Sequence, residues 1–375
     1  MVSSIFKNIF ILLFLFLVSC NSENKTLQKE KLISTEKNKF AKNFQIKQFE
    51  NYIELEVTNP WQGAENVKYT YHLSNKRLDA NTILVPIKKA VVLSTTHIGL
   101  IDFVGETDKI VGVSGLDYVN NTRIIKNAAL QKVYDVGYGV NLNYELLLKL
   151  QPDVVFVYGV NAETKAQINK LNDLGLKAVI IAEYLEETPL AQAEWVKFMA
   201  YFFDKAEQVN QTFEKMAKSY QELKQLANKQ EIKPLVMANL PYNGIWYVAG
   251  GKSFPAKLIE DAGGNYVWKN INSREAVPMS IEKVVLSVEN ADFWINSGNA
   301  NSLEQINAVD ERISNLKAMK TQKVFNNNKI QSPKGGNDYF ESGICNPHIL
   351  LKDIISILHP ELLPNYEPKY YYKLN

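Results

Sequence analysis

The chain has few of the residues that cross-link small exported proteins or hold bare metal ions. Among 375 residues there are two cysteines, Cys20 and Cys345, and four histidines. Structural zinc sites use several cysteine or histidine ligands, so a cysteine-based metal cluster is excluded and a bare metal site is not favoured. A chain of this size with so little cysteine must take its stability from the burial of apolar surface.

Excess charge and catalytic motifs are also missing. The net charge of +2 gives no reason to expect nucleic acid as a partner, because such binding needs clustered Lys and Arg. There is no G-x-S-x-G elbow, no G-x-x-x-x-G-K-[ST] phosphate loop and no cysteine pair for redox chemistry. We therefore do not expect an enzyme, and we expect no resident cofactor.

The longest apolar run lies at the start, in "MVSSIFKNIFILLFLFLVSC". The run from Ile9 to Val18 is too short to cross a hydrocarbon core of roughly 30 Å, but it suits the core of a secretory signal. It ends in "LVSC", which resembles the bacterial lipoprotein box. That resemblance implies that residues 1–20 are a signal peptide and that Cys20 is lipidated. The alternative is an ordinary signal peptide with an incidental cysteine.

The next two segments differ in composition. Residues 21–43 are polar and rich in Lys, with too few apolar residues to offset the entropy of ordering, so they predict a flexible tether. In residues 44–87, "YIELEV" and "VKYTYHL" alternate apolar and polar residues around the turn-rich "TNPWQGAEN". This pattern predicts an antiparallel hairpin that covers one edge of the following lobe.

From residue 88 short apolar strands alternate with helices, which predicts an α/β fold of two similar lobes, each a largely parallel sheet flanked by helices. The predicted lobes are residues 88–203 and 231–364, followed by a tail at 365–375. Between them, residues 204–230 carry apolar residues at intervals of three and four, and Asp204 with Glu207 suggests a capping box. This stretch predicts one long connecting helix; the alternative is a core helix within one lobe.

Two pairs of echoes support a duplication. "NYELLLKLQPDVVFVYG", residues 143–159, resembles "SIEKVVLSVENADFWINSG", residues 280–298. Each copy has a small polar residue two positions before a Glu, a short apolar helix pattern and an Asp before a strand. In "STTHIGLIDFVG" and "SFPAKLIEDAGG" a Thr or Ser, a Leu and a Gly recur at the same spacing. The period is too long for a solenoid, so it predicts two related lobes.

These motifs, from about Lys88 to Leu363, resemble the substrate-binding proteins of ABC importers for iron-siderophore complexes, haem and cobalamin. The resemblance implies a ligand cleft between the lobes, limited hinge motion, and a monomer that delivers its ligand to a permease and its ATPase. The ligand would be a ferric siderophore, with cobalamin or haem as alternatives. Import also requires that the lipid anchor sit at the periplasmic face of the inner membrane, although the sequence leaves the outer membrane open.

In that family an acidic residue on each lobe docks onto basic residues of the permease. The matching positions here are Glu145 and Glu282. A purely structural interpretation is also open, because Asn143 and Ser280 suit helix N-caps and a Glu in the first turn is favoured by the helix dipole.

Ligand-facing residues are expected at the carboxyl ends of the strands. Aromatic faces would hold a bulky ligand, and Lys and Arg would hold an anionic ferric chelate. The candidates from the first lobe are Thr95, Thr96, His97, Tyr118, Tyr138, Tyr158 and Tyr184. The candidates from the second lobe are Trp246, Lys252, Trp268, Arg274, Asn296, Lys334, Asp338 and Tyr339.

Two questions stay open at the level of sequence. His97 is either an axial ligand for haem iron or cobalt, or a histidine that hydrogen-bonds backbone at a helix start. The whole chain could also be a surface lipoprotein that uses this fold only to contact another protein.

Overall fold

The computed structural model describes residues 30–375, so the predicted signal peptide and Cys20 lie outside it. In this part of the chain one mainly antiparallel sheet precedes two lobes, each of which is built on its own five-stranded sheet. None of the described helices is both long and apolar enough to cross a membrane.

The N-terminal segment is a five-stranded sheet and not a hairpin. Its strands are β1 (Leu32–Glu36), β2 (Phe44–Phe49), β3 (Ile53–Thr58), β4 (Lys68–Ser74) and β5 (Ile83–Leu84). The predicted hairpin is present as the antiparallel pair β3 and β4, but β2 pairs with β3, β1 pairs with β2, and β5 adds to β4 in parallel. The hairpin was therefore an incomplete prediction.

The predicted tether is wrong from residue 32 onward. Strand β1 occupies part of it, and two buried glutamates fix the segment that follows. The carboxylate of Glu194 accepts hydrogen bonds from the backbone N–H groups of Lys39, Phe40 and Ala41 at 2.7–2.9 Å. Glu186 accepts from the backbone of residues 42 and 43 at 2.9–3.0 Å. These partners are more than 140 residues away, so a local reading of composition could not find them.

The first lobe contains a fully parallel sheet in the order β10-β9-β6-β7-β8. Its strands, mostly buried except for the exposed edge strand β8, are β6 (Ala90–Val92), β7 (Ile110–Val113), β8 (Tyr134–Asp135), β9 (Val154–Tyr158) and β10 (Ala178–Ile181). Its helices are α1 (Thr95–Val104), α2 (Thr122–Ala129), α3 (Tyr144–Leu150), α4 (Glu163–Asp173) and α5 (Pro189–Ala200). The N-terminal sheet covers the β10 edge, where the Ile180 N–H donates to the Tyr71 hydroxyl at 2.9 Å.

One long helix, α6 (Ala206–Asn228), follows the first lobe. Its buried stripe includes Val209, Phe213 and Tyr220, and it packs against α5 and the last helix of the chain. At 1.5 Å per residue it spans about 35 Å. The suggested capping box is absent, because Asp204 has a left-handed backbone with φ 56° and Lys205 occupies the N-cap without a side-chain bond.

The second lobe has the sheet order β13-β11-β15-β16-β17, which is parallel except for β17. Its strands, including the separate antiparallel pair β12 and β14, are β11 (Leu235–Ala238), β12 (Ile245–Ala249), β13 (Asn265–Tyr266), β14 (Ala276–Ser280), β15 (Phe293–Ile295), β16 (Val324–Asn326) and β17 (Tyr372–Lys373). Its helices are α7 (Phe254–Asp261), α8 (Ile281–Val288), α9 (Leu303–Asn307), α10 (Lys317–Lys320) and α11 (Pro347–Leu358), and a π-helical turn spans Tyr339–Gly343. The predicted tail is thus an edge strand of this lobe.

The repeated sequence segments form the same strand-joining contacts in both lobes. Asp153 precedes β9 and accepts from the backbone N–H groups of residues 88 and 89 at 2.7 and 2.9 Å, just before β6 begins. Asp292 precedes β15 and accepts from the N–H of Leu235, the first residue of β11, at 2.7 Å. Gly105 and Gly263 both adopt positive φ just after α1 and α7. Each lobe therefore joins its central strands in the same way.

Candidate ligand cleft

A cavity of about 860 Å³ lies between the lobes, at the carboxyl ends of their strands. This volume falls in the range of about 300–1,000 Å³ that is typical of small-molecule sites. Residues from both lobes line it; most follow or end a strand or begin a helix, and the rest belong to the loop and π-helical turn at 331–343. The lining residues are Leu93, Ser94, Thr95, Ser114, Tyr118, Tyr138, Tyr158, Asn239, Phe254, Pro255, Asn296, Gly298, Asn299, Asn327, Gly335, Gly336, Asn337, Tyr339 and Phe340.

The wall from the first lobe is lined mostly by side chains that carry hydroxyl groups, three of them tyrosines. Tyr118 follows β7, Tyr138 follows β8 and Tyr158 ends β9, while Thr95 begins α1. Tyr118 and Tyr138 are half-exposed or more, so their rings are open to a guest molecule. Burial, with the neighbouring phenol of Tyr138, raises the pKa of Tyr158 to about 12, so this phenol stays protonated and uncharged at neutral pH.

Asparagines dominate the wall from the second lobe. Asn239 follows β11, Asn296 follows β15 and Asn327 follows β16, which places three amides at equivalent strand ends. The side-chain oxygen Oδ1 of Asn296 accepts from the Tyr371 hydroxyl at 2.8 Å, which fixes the orientation of this amide. Within residues 30–375 the side-chain amides of Asn299 and Asn327 make no hydrogen bond, so they are available to a ligand.

One side of the cleft is closed by contact between the lobes. Both oxygens of Glu341 accept backbone hydrogen bonds at 2.7 Å from Asn120 and Asn121, which precede α2. The Ser332 hydroxyl donates to the Asp117 carbonyl at 2.7 Å, again from one lobe to the other. These contacts, made by the loop 331–343 of the second lobe, hold the two walls at a fixed separation.

Two glycines make that approach possible. A Cβ at Gly336 would lie 1.8 Å from the Tyr118 carbonyl oxygen, and a Cβ at Gly99 would lie 1.8 Å from the Glu341 carbonyl oxygen. Any side chain would therefore force the backbones apart. The loop can approach both helix α1 and the segment at Tyr118 only because these two positions lack a side chain.

Two smaller spaces adjoin the cleft. A pocket of about 470 Å³ in the first lobe shares Tyr138 and Tyr158 with it. A crevice of about 460 Å³ shares Phe254 and Pro255 with it and is walled partly by the β3–β4 loop of the N-terminal sheet. Three predicted ligand contacts lie in this crevice and not in the cleft: Tyr184, Lys252 and Arg274. Arg274 donates to the Leu185 carbonyl at 3.2 Å.

The two predicted tryptophans do not face the cleft. Trp246 is fully buried, its ring centroid lies 5.6 Å from that of Trp294, and its indole N–H donates to the Ala238 carbonyl at 3.3 Å. Trp268 is also buried and packs edge-on against Tyr266. Both were wrong predictions, because the side chains turn toward the core of the second lobe.

Three polar candidates are also outside the cleft lining. Thr96 uses its hydroxyl to donate to the Phe340 carbonyl at 3.1 Å, which joins the lobes. Asp338 is buried and accepts from the Ser342 hydroxyl at 2.8 Å. Lys334 is exposed on the outer side of its loop, next to the lining residues Gly335 and Gly336.

His97 is fully buried in α1, and neither ring nitrogen has a hydrogen-bond partner among the described residues. Burial lowers the pKa of His97 to about 3, so the ring is neutral. The nearby backbone of Phe156 opposes this shift but does not form a hydrogen bond with the ring. Both interpretations of His97 are wrong, because the ring does not reach the cleft and does not bond backbone.

Several cleft residues were not predicted from the sequence, chiefly Ser114, Asn239, Asn299, Asn327 and Phe340. Asn239 and Asn327 could have been predicted, because each directly follows a strand of the second lobe. Applied to those two strands, the expectation that ligands lie at strand ends would have found them. The loop residues carry no comparable local signal.

Glu145 and Glu282 occupy equivalent positions, in the first turns of α3 and α8. Asn143 and Ser280 cap these helices through their side chains. Both glutamates are exposed; α3 follows β8 of the first sheet, whereas α8 follows β14 of the separate antiparallel pair. The pKa of the Glu282 carboxyl is lowered chiefly by its own backbone N–H, and then by Arg312, which donates to it at 3.0 Å, and by Ser280.

Comparison with known proteins gives a consistent result. Residues 91–329 match the model of a family described as periplasmic binding protein. An uncharacterised lipoprotein of Methanocaldococcus jannaschii is 28% identical over 302 residues, which cover 78% of this chain and 70% of the relative.

Solved structures share the fold. A periplasmic solute-binding protein from Veillonella parvula has a TM-score of 0.57 at 23% identity and covers 75% of this chain and 83% of its own. A structure described as an ABC-type Fe³⁺-hydroxamate transport system from Saccharomonospora viridis has a TM-score of 0.55 at 15% identity and covers 81% and 98%.

Proposed function

The chain belongs to the periplasmic binding protein family, and from this premise we propose that it is the lipid-anchored substrate-binding component of an ABC importer. It captures a metal chelate between its lobes and delivers it to a permease and its ATPase. The chelate is a ferric siderophore, with cobalamin or haem as the alternative.

One observation carries the proposal: a single cavity of about 860 Å³ is lined from both lobes at the carboxyl ends of their strands. Aromatic and amide side chains line it, as suits a bulky guest with polar edges. Within the described residues no three His, Cys, Asp or Glu side chains converge to hold an ion, which favours a metal that arrives with its own ligands. The likeness to an iron-hydroxamate transport protein motivates the same choice.

Docking to the permease would use Glu145 and Glu282. One exposed carboxylate lies on each lobe in the same helical turn, which matches the two halves of a symmetric partner. Exposed ion pairs contribute little free energy, so these contacts would chiefly set register and encounter rate. The protein acts as a monomer, held by lipid on Cys20 at the periplasmic face of the inner membrane.

Transport and binding can be separated by charge reversal. Glu145→Arg with Glu282→Arg should abolish uptake of the chelate while leaving its dissociation constant unchanged, because both residues lie outside the cleft. Glu207→Arg with Glu289→Arg is the matched control, since both are exposed, on α6 and after the far end of α8. Normal uptake by the first double variant, or equal loss in the control, would contradict the docking proposal.

Binding itself tests the function against a role in protein contact alone. Isothermal titration calorimetry of the full chain in detergent should show one site for at least one ferric siderophore, cobalamin or haemin. The double substitution Tyr118→Ala with Tyr138→Ala should weaken that binding. If none of these chelates produces heat, a surface lipoprotein that only contacts another protein becomes the better interpretation.

A further inference from the structure

The cleft between the lobes is electrically neutral. Charged residues make up 22% of the chain. Even so, among the described residues not one of those lining the 860 Å³ cavity carries a charged side chain. Its polar surface consists instead of phenol, hydroxyl and amide groups. Such groups offer hydrogen bonds without offering a counter-charge.

Lys334 is exposed beside Gly335 and Gly336 and is not itself a lining residue, and the cations that line the adjoining crevice lie beside carboxylates. Lys252 and Arg274 line the neighbouring crevice, where Glu186 and Glu275 also lie. The Arg274 guanidinium is 3.5 Å from the Glu187 carboxylate, and Arg274 and Lys252 together help to lower the pKa of Glu187, an effect in which the Lys42 hydrogen bond is the largest. These cations therefore have little charge to spare for a guest in the cleft.

The uncharged polar groups are placed where a guest would need them. Asn299 and Asn327 have no side-chain hydrogen-bond partner within residues 30–375, nor has the hydroxyl of Tyr118 there, and the phenol of Tyr138 lies beside that of Tyr158. Amide and phenol groups can donate to and accept from the polar rim of a chelate. Aromatic faces supply contact area around its body.

Transfer of an ion from water into a site of this kind is unfavourable unless an opposite charge or several charge-assisted hydrogen bonds replace its hydration. An uncharged chelate loses only hydrogen bonds, which the amides and phenols restore. We propose that the cleft selects metal chelates of zero net charge and discriminates against anionic ones. This inference rests on the proposed function, and it divides the chelates considered above by their charge and not by their metal.

Two matched pairs of probes test it by calorimetry on the full chain in detergent. The first pair is an uncharged ferric trihydroxamate and a trianionic ferric tricatecholate, which share the metal and its octahedral oxygen ligands. The second is cyanocobalamin and haemin, two macrocycles of which only haemin bears free carboxylates. We expect the uncharged member of at least one pair to bind about tenfold or more tightly than its partner.

A single substitution provides the internal test. Asn299 is exposed at the cleft wall, so Asn299→Lys should fold normally and place a cation beside the guest. The variant should gain about tenfold in affinity for the anionic member of the pair, with a smaller change for the uncharged one. Asn81→Lys adds the same charge on the exposed N-terminal sheet, away from the cleft, and should change neither affinity.

The outcomes are distinct. Equal or tighter binding of the anionic probes by the wild-type chain would overturn the charge selectivity while leaving the import function intact. Unchanged selectivity in Asn299→Lys would also overturn it, because the charge of the cleft would then not determine which chelate binds more tightly. Binding of none of the four probes would overturn the proposed function, and the present inference with it.

Discussion

The attachment of the N-terminal sheet depends on one buried carboxylate, Glu194. This side chain is fully buried in α5. Its Oε1 accepts from the Lys39 N–H at 2.9 Å and from the Lys197 ammonium at 3.1 Å, and its Oε2 accepts from the N–H groups of Phe40 and Ala41 at 2.7 and 2.8 Å. Four donors thus converge on two oxygens.

The substitution Glu194→Gln keeps the size of the side chain but replaces one oxygen with an amide nitrogen. Whichever way the amide turns, two donors lose their acceptor and face another N–H. A buried donor left without a partner costs roughly 1–3 kcal/mol, and breaking a buried ionic contact costs about 3–5 kcal/mol. We therefore expect the free energy of unfolding to fall by about 4 kcal/mol.

Urea denaturation followed by circular dichroism measures this loss, and amide hydrogen exchange at residues 39–41 shows where it arises. Glu214→Gln is the control, because Glu214 is half-exposed and binds the same two lysines, Lys39 and Lys197. An exposed contact of that kind contributes less than about 1 kcal/mol. If the two variants lose the same stability, the reasoning about Glu194 is wrong.

Three further perturbations test other parts of the structure. Gly336→Ala should lower the melting temperature and weaken chelate binding, since its Cβ would lie 1.8 Å from the Tyr118 carbonyl oxygen, whereas Lys334→Ala on the same loop should change neither. Burial raises the pKa of Glu183 in the folded chain to about 7, above its ordinary value of about 4.5. The contribution of its protonated form to the free energy of unfolding is therefore fully present below about pH 4.5 and is lost as the pH rises through 7. The free energy of unfolding should therefore fall between pH 5 and pH 8 by up to about 3 kcal/mol less in Glu183→Gln than in the wild-type chain, as measured by urea unfolding at both pH values. Tyr138→Phe should keep most of the affinity that Tyr138→Ala loses if the ring, and not the hydroxyl, supplies the contact; calorimetry distinguishes the two.

The two-lobed α/β architecture could be predicted from local patterns. Short apolar runs alternate with helical stretches, and such alternation follows from the burial of parallel strands on both faces. The echo around Asp153 and Asp292 also had a structural cause, because both aspartates join the central strands of their lobes. These features depend on neighbours in sequence, which is why the sequence reveals them.

The wrong predictions concern side chains whose partners are distant in sequence. The segment before Phe44 looked like a tether because its own residues are polar, yet its backbone is bound by glutamates of another element. Arg274 looked free to bind an anion, but Glu187 lies beside it. Trp246 lies in the strand "IWYVA", which is apolar throughout, so only the structure shows that Ile245 and Tyr247 are exposed while the tryptophan faces inward.

The duplicated plan accounts for a cleft lined by uncharged groups beside the two glutamates proposed for docking. In both lobes residues that follow the strands line the cleft, whereas Glu145 and Glu282 lie in the exposed first turns of α3 and α8. A glutamate in such a turn is favoured by the helix N-terminus without any partner. Glu282 also contacts Arg312, and an exposed pair of this kind contributes little free energy, so under the proposed docking it would exchange readily for a basic residue of a permease. The two lobes would then present equivalent carboxylates to a symmetric partner although their cleft walls differ, one rich in hydroxyl groups and one rich in amides.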